Sequence, residues 1–99
     1  MWLTEALLFF QAANSISAGM QALEEGKYQD AAEAYDLSAS HGNDPELRQK
    51  ATLAAGEMYD VLQKRETALE KYRTVIAEDS SSDAAGLARR YMKQAYRSP

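Results

Sequence analysis

A recurrence at a spacing of 37 residues constrains this chain more than any other feature. Ala31 and Tyr35 come back as Ala68 and Tyr72, and Ala18-Gly19 comes back as Ala55-Gly56. Ala22, Tyr59 and Tyr96 fall on the same lattice. A fixed period between about 20 and 50 residues marks a repeat protein. Its units bury their apolar faces against each other and act by presenting a surface.

Helical spacing runs through the whole lattice. Thr4 is placed to cap a first helix whose apolar face holds Leu7, Leu8, Gln11, Ala12, Ser15, Ala18, Ala22 and Leu23, with Gly26 as its C-cap. A second helix is expected over 28–40, with Tyr28, Ala31, Ala32, Tyr35 and Ala39 on one face and Asp30, Glu33 and Asp36 on the other. Gly42 breaks it, Asp44 caps the next, and Pro45 opens a third helix expected to run to Gln63. A fourth is expected over 65–78. The polar run Asp79-Ser80-Ser81-Ser82-Asp83 follows, with Asp83 as the expected cap of a last helix over 84–97. No segment alternates with period 2, so the fold class is all-α: five helices in antiparallel hairpins. The division is one domain, 1–99, with a first hairpin at 4–40, a second at 44–79 and a closing helix at 83–97.

Composition excludes several functions. The chain has no cysteine, hence neither a disulfide framework nor a thiolate metal site. A net charge of −4 argues against nucleic acid as the main partner, since phosphate binding needs a basic footprint. The charge is uneven: residues 1–82 carry 7 basic and 14 acidic side chains, whereas 83–99 carry Arg89, Arg90, Lys93 and Arg97 against Asp83 alone. The basic end is read as a solvated helix face or as a contact for an acidic neighbour. Met1–Phe10 is apolar but lacks a basic leader and is interrupted by Glu5. It is also shorter than the roughly 20 apolar residues of a membrane span. A cytoplasmic location without membrane attachment is expected.

Catalysis is not expected. His41, the only histidine, falls in a turn. Ser80, Ser81 and Ser82 have no histidine or aspartate arranged to activate them. The pairs Glu24-Glu25 and Glu78-Asp79 make poor metal ligands without histidine, and the five glycines form no phosphate-cradling loop. No cofactor and no metal are expected.

The unit of helix, tight turn and helix resembles the tetratricopeptide repeat. The resemblance rests on Ala18-Gly19-Met20-Gln21-Ala22 with Ala55-Gly56-Glu57-Met58-Tyr59, on Gly26-Lys27-Tyr28, and on Ala31…Tyr35 with Ala68…Tyr72. It covers about residues 12–79. The chain departs from the family at Ser15 and Thr52, where a large residue is usual. Its second turn, Gln63-Lys64-Arg65, has no glycine, and its period is 37 rather than about 34. Small Ala18, Gly19, Ala31, Ala55 and Ala68 are expected at close helix approaches, and Tyr35 and Tyr72 in the gap between successive hairpins.

The resemblance implies an α-α superhelix of about two hairpins plus a capping helix, with a groove lined by the first helix of each unit. Its groove residues would be Ala13, Ile16, Met20 and Leu23, then Lys50, Leu53, Glu57 and Asp60, then Leu87, Arg90 and Gln94. A peptide or an amphipathic helix is the ligand this implies. The family's carboxylate clamp would fall on Ile16, Met20, Ala54, Leu87 and Tyr91, none of which carries the needed donor, so that mode is expected to be absent.

A second surface is read at the N-terminus. Trp2, Leu3, Leu7, Leu8, Phe9 and Phe10 spread around the helix, with Phe9 and Phe10 about 100° apart, too wide for one core stripe. Trp2, Leu3, Leu7, Phe9 and Phe10 are the expected contacts of a homodimer. The chain is therefore expected to be a protein–protein interaction module, binding a peptide in the groove, self-associating, or both. The alternative is a structural terminal piece of a longer solenoid with no ligand of its own.

Overall fold

Residues 16–97 are described by a computed structural model, and every regular element among them is an α-helix. The helices are α1 (16–24), α2 (Tyr28–His41), α3 (Pro45–Val61), α4 (Arg65–Glu78) and α5 (Asp83–Lys93). Consecutive helices pack on each other, as the short links demand, and α3 also touches α5. The fold is all-α, an array of helical hairpins. No described helix is long and apolar enough to cross a membrane.

Two clusters form the core. Ala22, Ala31, Ala32, Tyr35, Ala55 and Met58 join the first hairpin to α3. Leu53, Ala68, Tyr72, Val75, Ala85 and Ala88 join α3, α4 and α5. Seven of these twelve residues are alanine, so the helices approach closely and the few large side chains fill what remains. Each of the two tyrosines touches both its own hairpin and the next element: Tyr35 shares a cluster with Ala55 and Met58 of α3, and the Tyr72 ring lies 5.8 Å from that of Tyr91 in α5. Tyr35 of α2 lays its ring on Gly19 of α1, and Tyr72 of α4 lays its ring on Gly56 of α3. Ala18 is exposed, unlike its lattice partner Ala55, which α2 covers.

The turn within each hairpin repeats to the last hydrogen bond. Gly26 N–H donates to the Leu23 carbonyl (3.0 Å) and Lys27 N–H to that of Ala22 (2.8 Å). One period on, Gln63 N–H donates to Asp60 (3.0 Å) and Lys64 N–H to Tyr59 (2.8 Å). Both are Schellman caps, with Gly26 at φ 75° and Gln63 at φ 64°. The second turn therefore takes the left-handed geometry without the glycine that makes it easy. This cap ends α3 at Val61, two residues short of the expected Gln63.

Asp44 caps α3 as expected, accepting from Glu46 N–H at 3.0 Å, with Pro45 first in the helix. At α5 the cap is Ser82, whose Oγ accepts from Ala85 N–H at 3.0 Å. Asp83 instead occupies the first turn, where its charge faces the positive end of the helix dipole.

The closing helix ends at Lys93 rather than at 97. In a continued helix Tyr96 N–H would donate to the Met92 carbonyl. Instead Arg65 donates to that carbonyl (2.9 Å), and Asp60 accepts from Tyr96 N–H (3.1 Å). The Asp60–Arg65 pair takes both halves of the missing helical bond. Tyr96 leaves the helix and packs edge-on against Tyr91, with ring centroids 5.2 Å apart.

Candidate binding cleft

The two turns of the α3/α4/α5 unit bring the N-terminal halves of α3 and α5 side by side. Between them lies a cleft of about 650 Å³, within the range of ligand sites. From α3 and its cap it is lined by Asp44, Pro45, Glu46, Gln49, Lys50 and Leu53; from the linker and α5, by Asp79, Ser82, Asp83, Ala84 and Leu87. Leu53 is buried in the floor, while Leu87, beside it, remains 39% exposed. Pro45 and Ala84 add apolar surface to its lining.

The rim is acidic. Four carboxylates, those of Asp44, Glu46, Asp79 and Asp83, face one ammonium, that of Lys50, which pairs with Glu46 at 3.3 Å. Hydrogen bonds from the Ser81 hydroxyl and backbone hold the Asp79 carboxyl below its usual range, keeping it charged. Two helix N-termini contribute about half a positive charge each, which leaves the rim clearly negative.

The expected groove residues are not all in this cleft. Lys50 and Leu53 line it, as does Leu87. Met20, 55% exposed, borders a separate open depression with Ser17, Gln21, Glu24 and Glu25. Ile16 is half-buried, and Leu23 packs on the first core cluster. Arg90 and Gln94 border a third depression with Tyr91 and Tyr96. Ala13 and the dimer residues Trp2, Leu3, Leu7, Phe9 and Phe10 lie outside the described residues.

Asp60 is a core residue instead of a groove residue. Its side chain is 1% exposed. Arg65 Nη1 donates to both of its oxygens (3.0 and 2.9 Å), and Tyr72 Oη donates at 2.6 Å. With the Tyr96 amide included, its acceptor sites are taken up inside the protein, so it pins α4 and the C-terminal segment to the end of α3. Such a burden on a buried carboxylate is not visible in helical periodicity.

Glu57, one turn earlier, is half-buried within electrostatic reach of Tyr35, Tyr72, Tyr91 and Tyr96. Burial pushes its carboxyl up to about 7. Burial and the Asp36 carboxylate, to which Tyr59 Oη donates at 2.6 Å, push Tyr59 up to about 12. Lys71 pairs with the same Asp36 at 2.8 Å, tying α2, α3 and α4 together.

Gln49 was not anticipated as a site residue. The residue is 6% exposed, lines the cleft, and has no hydrogen-bond partner among the described residues. The legible signal was its place one turn before Leu53, a polar residue on the inward stripe of α3. Among the described residues no three His, Asp or Glu side chains are grouped to hold a metal ion. No protein-family model, curated protein or solved structure matches the chain.

Proposed function

We propose that the chain is a tetratricopeptide-like interaction module that binds a peptide in the cleft between α3 and α5. The supporting observation is the cleft itself: about 650 Å³, with an apolar floor in which Leu87 is left 39% exposed. A concave apolar strip with a few polar groups is the usual form of a recognition site. The repeated Gly–Tyr contact and the repeated Schellman turn support the repeat reading, because the same packing device recurs one period on. The test is selection from a random dodecapeptide library on wild type and on Leu87→Ser. Leu87 is exposed, so the variant folds normally by circular dichroism. Peptides are expected that bind wild type and lose at least about tenfold on the variant, about 1.4 kcal/mol. If every recovered peptide binds both proteins equally, the cleft is not the working surface.

A further inference from the structure

We infer that the cleft takes an extended peptide segment that carries a lysine or arginine beside an apolar side chain, with Gln49 pairing to the peptide backbone. This rests on the peptide-binding reading above and narrows it.

Three observations carry it. Gln49 is 6% exposed and unpaired among the described residues, yet no fully buried side-chain polar atom lacks a partner. Its amide is therefore open to the cleft. Water can serve this amide in the open cleft, and a ligand that replaces that water with a matched donor and acceptor keeps the hydrogen bonds while burying the apolar floor. One edge of a glutamine amide offers a donor and an acceptor together. An extended strand exposes an N–H and a C=O that match them; a helix has already used both internally. The extended form is thereby favoured over an amphipathic helix.

Charge sets the side chains. Four rim carboxylates against Lys50 and two helix ends leave a net negative opening. Asp79 and Asp83 border it from the linker and α5, Asp44 and Glu46 from the opposite wall. A cationic side chain reaches either wall while an apolar neighbour sits over Leu53 and Leu87.

The peptides selected above supply the probe. Among those that depend on Leu87, lysine and arginine are expected to be enriched over the unselected library. Affinity by fluorescence anisotropy is expected to fall about fivefold between 50 and 500 mM NaCl, the effect of one or two screened surface pairs. Gln49→Leu is expected to weaken binding about fivefold, the equivalent of one hydrogen bond. Its melting temperature is expected to be unchanged or higher, because no internal hydrogen bond is lost. Leu87-dependent peptides without basic enrichment, or equal affinity for Gln49→Leu, would overturn the inference and leave the peptide-binding reading standing. Absence of any Leu87-dependent peptide would remove both. A chain that is dimeric by sedimentation equilibrium and becomes monomeric on adding a selected peptide would assign the cleft to a second copy and overturn the inference.

Discussion

Tyr72 lies on Gly56 so closely that a Cβ built there would meet its ring at 2.6 Å. The ring cannot retreat: it is fully buried, and its hydroxyl is held by Asp60 at 2.6 Å. The equivalent contact one period earlier, Tyr35 on Gly19 at 2.7 Å, has no such tether among the described residues. Alanine in a helix gains about 1 kcal/mol over glycine, while overpacking costs about 1–3 kcal/mol. Gly56→Ala is therefore expected to destabilise by about 2 kcal/mol and Gly19→Ala by less than about 1. Urea unfolding of the two variants measures the difference; equal losses would mean that the tether does not hold the ring.

The matched turns give a second prediction. Gln63 holds φ 64°, a region that costs a side-chain-bearing residue about 1 kcal/mol. Gln63→Gly removes that cost but loosens the unfolded chain by about 0.5 kcal/mol. A net gain of about 0.5 kcal/mol is expected. The reverse change, Gly26→Ala, is expected to lose about 0.5 kcal/mol by the same two terms, although an added Cβ meets nothing within 4 Å. Thermal melts of both variants should move in opposite directions.

Asp60 gathers three donor groups from two segments: Arg65 and Tyr72 of α4, and the Tyr96 amide after α5. Asp60→Ala strands a half-buried guanidinium and a buried phenol, and is expected to cost about 3–5 kcal/mol. The segment after α5 should loosen first. Amide exchange at Tyr96 is expected to accelerate in Asp60→Asn, even where the variant stays folded.

Glu57 makes stability depend on pH. Its folded value, about 7, lies above the ordinary 4.5, so the native state holds the proton more tightly than the unfolded chain does. Stability from this group is complete below about 4.5 and is lost as pH rises through about 7. Partial exposure reduces the effect to about 2 kcal/mol. Glu57→Gln is expected to flatten this part of the profile and to stabilise the protein at pH 8. Denaturant midpoints from pH 4 to 8 check it; a wild-type profile that matches the variant would show that Glu57 titrates normally.

Much of the scaffold is legible in the sequence alone. Gly26 as a C-cap, Asp44 with Pro45 as a helix start, and the all-α class follow from backbone rules that act within a few residues. The cap of α5 was misplaced by one residue because Ser82 and Asp83 both suit the position, and only the Ala85 amide distinguishes them. The groove was legible in part: Lys50 and Leu53 do line a cleft, but Asp60 is taken into the core and Met20 and Arg90 border other depressions.

The sequence by itself determined the periodic elements: where helices start, where they turn, and that glycine and tyrosine recur at one spacing. Those are local matters of backbone conformation and side-chain size. Tertiary structure alone decided that Tyr72 belongs on Gly56, that α5 stops at Lys93, and that Gln49 lines a cleft. Each depends on groups brought together from distant parts of the chain. Asp60 and Arg65 end α5 because they sit where Tyr96 and Met92 would have bonded each other, a competition between hydrogen bonds that no single helix contains.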